Sequence, residues 1–269
     1  MEERIFKLED VYFSYLNKFP ALCGINMDIY KGEKIAILGA NGSGKSTLLQ
    51  MLDGLIFPER GKILGLGKEL NEANLANKDF ARLFRSKVGF VFQNPEVQLF
   101  CPTVEEDIAF GPLHLGVSDK ETRRRIDELA DILGIKNLLM RSPHQLSIGE
   151  KRKVAIASTL ALDPDILLLD EPTAGLDPQT SRHIVDIILE ANLKGKTIIT
   201  ATHDLHVVEE IASNIYILNN EKRIAGFGPT KEILSNSILL QENNLIHVHM
   251  HKHHGVIHLH PHQHLDHHA

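Results

Sequence analysis

The sequence predicts an α/β fold built on a parallel sheet, with a β-rich N-terminal part and a helical insert. Three observations carry that reading. Short, continuous apolar runs at 34–38, 166–169 and 197–200 have the composition of strands covered on both faces. A helical stretch, 179–193, separates the last two runs, and strand–helix–strand order implies parallel pairing. A glycine-rich turn leads from the first run straight into a helix at 45–52 that contains neither glycine nor proline.

The chain has 269 residues, 43% hydrophobic and 24% charged, values typical of a folded domain and sufficient for one large domain or a core with a subdomain. Alternation of apolar and polar residues gives strands at 5–15 and 21–30, joined by a turn near 17–20. Ile126, Leu129, Ala130 and Leu133 recur at helical spacing in 120–133, and 154–162 forms a second helical pattern. Ile215–Leu218 and Arg223–Phe227 read as a hairpin around Asn219 and Asn220, followed by a helix from Thr230 to about Asn243. No stretch approaches 18 apolar residues, and the charged start MEERIFKLED is unlike a secretion signal, so a cytoplasmic location is expected. Cys23 and Cys101 lie far apart without a CxxC pattern and are expected as buried thiols in a reducing compartment. A net charge of −6 removes the bulk attraction to nucleic acid that a basic domain would have.

Chemistry concentrates at GANGSGKST, which satisfies G-x-x-x-x-G-K-[ST] in a strand-to-helix setting. Gly39, Asn41, Gly42, Ser43 and Gly44 form a loop whose backbone N–H groups can wrap phosphates. Lys45 reaches the β- and γ-phosphates, Ser46 can ligate Mg²⁺, and Thr47 continues the first helical turn, whose N-terminus favours an anion. Alone, the loop leaves kinases, GTPases and motors open. In ILLLDE the apolar run delivers Asp170 and Glu171 to a strand end, where open α/β sheets do their chemistry. Asp170 is suited to the Mg²⁺ shell, and Glu171 to orienting or deprotonating an attacking water.

With LSIGEKRKVAIAS at 146–158, VFQNP around Gln93, EPTAGLDP at 171–178 and ATHD around His203, residues 5–230 resemble the ATP-binding subunit of ABC transporters. The resemblance implies a P-loop (RecA-like) ABC ATPase core with an N-terminal antiparallel β part. It implies an ATP-binding domain over 1–246 with a helical subdomain at about 95–162, followed by a flexible His-rich tail over 247–269. It further implies that Tyr15 stacks on adenine and that Gln93 is a switch residue touching Mg²⁺ and the membrane partner. Asp177 would be a dimer contact, and His203 would contact the γ-phosphate. Ser147 and Gly149 would complete the ATP site of a second subunit, as homodimer or heterodimer. ATP and Mg²⁺ are the implied cofactors and integral-membrane transporter subunits the implied partners, with no nucleic acid. The implied location is peripheral, on the cytoplasmic face of the cell membrane. QNPEVQLFCPTVEEDIAFGP at 93–112, with its additional Gln98, is most similar to the ATPases of energy-coupling-factor and cobalt/nickel importers.

One departure stands out: the family's LSGGQ appears as LSIGE, with Ile148 and Glu150 replacing glycine and glutamine. An added carboxylate near a bound triphosphate would weaken ATP affinity or slow closure. The tail is the second anomaly, since 11 of the 16 histidines lie between His247 and His268. His247, His249, His251 and His253 alternate with other residues and His254 follows directly. His258, His260, His262 and His264 repeat the pattern. Imidazole suits Ni²⁺, Co²⁺ and Zn²⁺, and such a site loses metal as pH falls through the histidine range. A solvated low-complexity tail and a cloning tag are the plain alternatives, though a tag would be an uninterrupted run. The expected function is ATP hydrolysis driving import of nickel or cobalt, with a vitamin or other small-molecule importer as the alternative. A metal-sensing protein and a soluble ABC ATPase are more distant readings.

Overall fold

The computed structural model describes residues 3–253 and 256–262, the last two strands by their backbone. Strands β1 (Arg4–Tyr15) and β2 (Phe19–Tyr30) pair antiparallel over their whole length. Asp10 takes a left-handed φ of 50° at a break in register between Leu8 and Val11. This bulge moves the buried alternation from Phe6 and Leu8 to Val11 and keeps one face inward. Strand β3 (Lys34–Leu38) is buried from Ile35 onward, as a central strand must be, and leads to helix α1 (Lys45–Leu52). Strands β4 (Arg60–Gly65) and β5 (Lys68–Glu69) complete a four-stranded antiparallel sheet in the order β2-β1-β4-β5.

Helices α2 (Glu72–Ala76) and α3 (Lys78–Lys87) follow, with Asn77 capping the latter through Asp79 and Phe80 N–H groups. They lead to β6 (Val88–Val91), all four of whose residues are buried. Helices α4 (Val104–His114), α5 (Asp119–Ile132) and α6 (Ile148–Leu160) pack on one another. The chain then alternates through β7 (Ile166–Asp170), α7 (Pro178–Leu193), β8 (Thr197–Thr202), α8 (Leu205–Ile211) and β9 (Asn214–Leu218). β10 (Ile224–Pro229) closes the second sheet, and α9 (Thr230–Ser235) and α10 (Ser237–Glu242) follow it.

The six-stranded sheet runs β10-β9-β3-β8-β7-β6, parallel throughout except for β10 at one edge. Its two faces have separate cores, which explains the unbroken apolar run in β7. Ile166 and Leu168 join Leu48 and Leu52 of α1 and Phe6 and Ile25 of the antiparallel sheet. Leu167 and Leu169 face Ile108, Ile126, Val154 and Ile188 on the helical side. The α/β architecture with its antiparallel and helical parts is therefore as expected.

Two details differ from the sequence reading. Cys23 and Cys101 are free but half-buried rather than buried. The helix expected at 230–243 breaks at Asn236, whose side chain instead accepts from Leu239 N–H and caps α10. Within the His-rich tail, β11 (His247–His253) and β12 (Val256–His262) form an antiparallel pair with His249 opposite His260 and His251 opposite His258. The every-second-residue spacing that suits metal ligands is also the period of a strand. His254 and His264 lie outside the described residues.

Candidate functional site

Sheet order assembles the site. Because β3, β8, β7 and β6 are parallel neighbours, their carboxyl ends lie side by side, with Leu38 in register with Thr202 and Asp170 with Ala201. The phosphate loop, His203, Asp170, Glu171 and Gln93 each follow one of those ends directly, so residues far apart in sequence meet along one edge. An open cleft of about 310 Å³ there is lined by Tyr15, Asn41, Lys45, Gln93, Glu171 and Lys222, among others. That volume falls in the ordinary range of ligand pockets.

The loop needs its glycines for space as well as for dihedral freedom. At Gly44, φ is 110° and a Cβ would stand 2.3 Å from the Ala21 carbonyl oxygen. At Gly39 a Cβ would meet the Leu218 carbonyl oxygen at 2.5 Å. Helix α1 begins at Gly44 without a side-chain cap, leaving its first N–H groups directed at the cleft for an anion.

Lys45 is buried, its Nζ 2.8 Å from the Gly39 carbonyl oxygen and 3.5 Å from Glu171 Oε1. Burial lowers its pKa from the usual lysine value, against the opposing charge of Glu171. Glu171 sits at φ 46°, a backbone conformation that non-glycine residues rarely adopt and that aims its carboxylate back at the loop. Its Oε1 pairs with His203 Nδ1 at 2.8 Å, and its Oε2 accepts from the Thr202 hydroxyl at 2.9 Å. Burial works to raise the Glu171 carboxyl, but the hydrogen bond and charge of His203, with Lys45 and Thr202, outweigh it and hold the group below the usual carboxylate range. The same bond raises His203 above an ordinary histidine.

Asp170 is the neighbouring carboxylate with the opposite bias. Burial pushes its pKa up, while the Ser46 hydroxyl bonded to it pulls down. Its Oδ1 is buried without a hydrogen-bond partner, which in a native site calls for one. An orphaned carboxylate oxygen beside a serine hydroxyl is a hard-oxygen donor set that fits Mg²⁺.

Tyr15 lines the cleft, its hydroxyl 3.1 Å from Thr47 Oγ1. Asp177 caps α7 by accepting from Thr180 N–H. Ser147 and Gly149 are not among the residues lining the cleft; they begin α6, where the Ser147 side chain caps the helix. Three contact residues were missed by sequence reasoning. Lys222, in the β9–β10 hairpin, lines the cleft and donates to the Gly42 carbonyl oxygen at 2.5 Å. Thr202 holds Glu171. Buried Arg152 donates to the carbonyl oxygens of Phe92 and Gln93. Gln98, already singled out in the sequence, accepts from Phe92 N–H and donates to the Ala155 carbonyl oxygen, so it ties the segment before Gln93 to α6. The contacts of Lys222, Thr202 and Arg152 have no short-range sequence signal.

The ABC transporter family model matches residues 22–174, more than half of the chain. The chain belongs to the ABC transporter ATP-binding family. The chain is accordingly an ATPase. It is 46% identical over 244 residues to the nickel import ATP-binding protein NikO of Rhodobacter capsulatus, covering 90% of this chain and 95% of that one. Among solved structures, cbiO1 from Clostridium perfringens, part of the ABC transporter complex cbiONQ, is 38% identical, with a TM-score of 0.75 over 91% of this chain and 96% of that one. The dimeric post-hydrolysis structure of the cassette MJ0796 with ADP and Pi is 30% identical, with a TM-score of 0.75 over 84% and 99%. Among the described residues no helix is long and apolar enough to cross a membrane.

Proposed function

We propose that the chain is the ATP-hydrolysing subunit of an importer for nickel or cobalt, and that two copies act together beneath integral-membrane subunits on the cytoplasmic face. The observation that carries the cargo is the 46% identity to the nickel import protein across nearly the whole of both chains. The histidine tail adds a second, independent pointer to the same class of metal.

In this reading the triphosphate lies against the N-terminus of α1, and Lys45 turns its ammonium from Glu171 to the β- and γ-phosphates. Tyr15 stacks on the adenine. Ser46, Asp170 and Gln93 would hold Mg²⁺, which would supply positive charge beside the phosphate oxygens. Glu171, relieved of Lys45, accepts a proton from the attacking water, and His203 keeps its carboxylate ionised while reaching the γ-phosphate. Ser147 and Gly149 act in the second copy, where the Ser147 hydroxyl and the N-terminus of α6 face that copy's nucleotide. Exposed Phe100 and Phe110, edge-on at 4.9 Å, form an apolar surface suited to a membrane subunit. Gln98 and Arg152 join the nearby Gln93 segment to α6.

The tail beyond Ile246 collects metal near the entry path. Full protonation of its 11 histidines would shift the formal charge from −6 to +5, so metal binding weakens sharply near pH 5. Uptake of radioactive nickel and cobalt by cells expressing the chain with its membrane subunits tests the reading. Lys45→Ala abolishes uptake, and truncation after Ile246 lowers it at scarce metal but little at plentiful metal. Uptake of a vitamin in place of either metal overturns the cargo, and equal metal binding by full and truncated chains overturns the role of the tail.

A further inference from the structure

In the signature segment, the carboxylate that departs from the family pattern is bonded to the serine on which the pattern depends. Glu150 Oε2 accepts from the Ser147 hydroxyl at 2.9 Å and from Ser147 N–H at 2.8 Å, while Glu150 N–H donates back to Ser147 Oγ at 3.3 Å. A serine hydroxyl has one proton to give, and here Glu150 takes it. We propose that Glu150 is a positioning residue that holds the Ser147 hydroxyl away from nucleotide, and thereby sets the ATP concentration at which two chains close on each other. The proposal rests on the dimer reading above and names the residue that regulates it.

The physical case has three parts. First, the γ-phosphate of the opposite copy and the Glu150 carboxylate compete for the same hydroxyl proton, so closure must break a charge-assisted bond. Second, the carboxylate is ionised at neutral pH. Its bonds to Ser147 hold its pKa below the usual range, and Arg141 and Lys153 are the cations whose charge reaches it. A fixed negative charge then faces a triphosphate. Third, the position is solvent-accessible, with Ile148 beside it 64% exposed, so nothing within the chain obliges the bond to persist once a partner approaches. A glutamine at 150 keeps the oxygen needed to cap α6 but loses the charge, and it can rotate to present its amide instead. Closure then requires less ATP.

The test is an ATP titration of dimer formation, followed by light scattering, in chains carrying Glu171→Gln to suppress hydrolysis. Adding Glu150→Gln is expected to lower the half-saturating ATP concentration about fivefold, the scale separating a charge-assisted from a neutral hydrogen bond. The difference should narrow as ionic strength rises, because one component is charge repulsion. ATP binding to dilute, monomeric chain should be unchanged, since Glu150 acts on the opposite copy's nucleotide. With Ser147→Ala already present, the gain from Glu150→Gln should shrink. An unchanged or higher ATP requirement in Glu150→Gln overturns the proposal and marks the residue as a helix cap only. An undiminished gain on alanine at 147 contradicts capture of the hydroxyl. If neither chain dimerises at any ATP concentration, the homodimer reading itself fails and the proposed control falls with it.

Discussion

The Lys45 ammonium stands 3.5 Å from Glu171 Oε1, with both side chains buried. In the proposed mechanism the cation that binds phosphate and the carboxylate that handles water are thus partners before they are catalysts, and phosphate oxygens compete with Glu171 for one ammonium. Removing the charge from Glu171 separates the two roles. Glu171→Gln should bind ATP at least as tightly as the wild type, because Lys45 is no longer shared. Hydrolysis should fall by about 10²-fold or more, the scale of a general base. Single-turnover hydrolysis within about twofold of wild type would remove Glu171 from that role.

The bond from His203 helps to hold the Glu171 carboxyl below its usual range, which fixes the direction of a pH effect if Glu171 is the base. In His203→Ala the dominant influence left on Glu171 is burial, so its pKa rises and the acid limb of kcat/KM should move to higher pH. The stabilising effect of the pair follows linkage. The Glu171 part is fully present above the unfolded value near 4.5 and is lost as pH falls through its depressed folded value. The His203 part is fully present below 6.5 and is lost as pH rises through its raised value. Between those limits His203→Ala should destabilise the chain most, measurable as melting temperature against pH.

Lys222 braces the phosphate loop from the β9–β10 hairpin by donating to the Gly42 carbonyl oxygen. Lys222→Met keeps the length of the side chain and removes its donor and charge. ATP affinity should fall about threefold to tenfold, as expected for one partly exposed charge-assisted contact, with little change in melting temperature. Unaltered affinity would show the brace to be incidental.

What the sequence makes legible follows the range of the contact. Gly39–Thr47 and Asp170–Glu171 can be read because their chemistry is set by spacing within one loop or one strand end. The strands at 166–169 and 197–200 are legible because burial on both faces leaves an unbroken apolar run. Lys222 escapes notice because it meets Gly42 from 180 positions away, and Thr202 because its role depends on β8 lying beside β7. Val88–Val91 is too short an apolar run to be distinguished from a helix segment. Helix α6 begins at Ile148, six residues before the helical pattern read at 154. The capping pair Ser147 and Glu150 nucleates it across a polar stretch in which apolar spacing is silent. That pair carries a signal of its own, S-x-x-E, hidden inside a motif read for function.

The proposed dimer brings the phosphate loop of one chain against the signature of the other, and a crosslink across that junction is the most direct measure of it. Ser43 is buried, so Asn41, exposed on the same loop, is the better position to pair with exposed Ile148. In a chain with Cys23 and Cys101 replaced by serine and Glu171→Gln in place, Asn41→Cys and Ile148→Cys should form an intersubunit disulfide product that increases with ATP. It should be lost when Lys45→Ala abolishes nucleotide binding. Absence of that product at saturating ATP, in chains shown to bind ATP, would contradict the shared site.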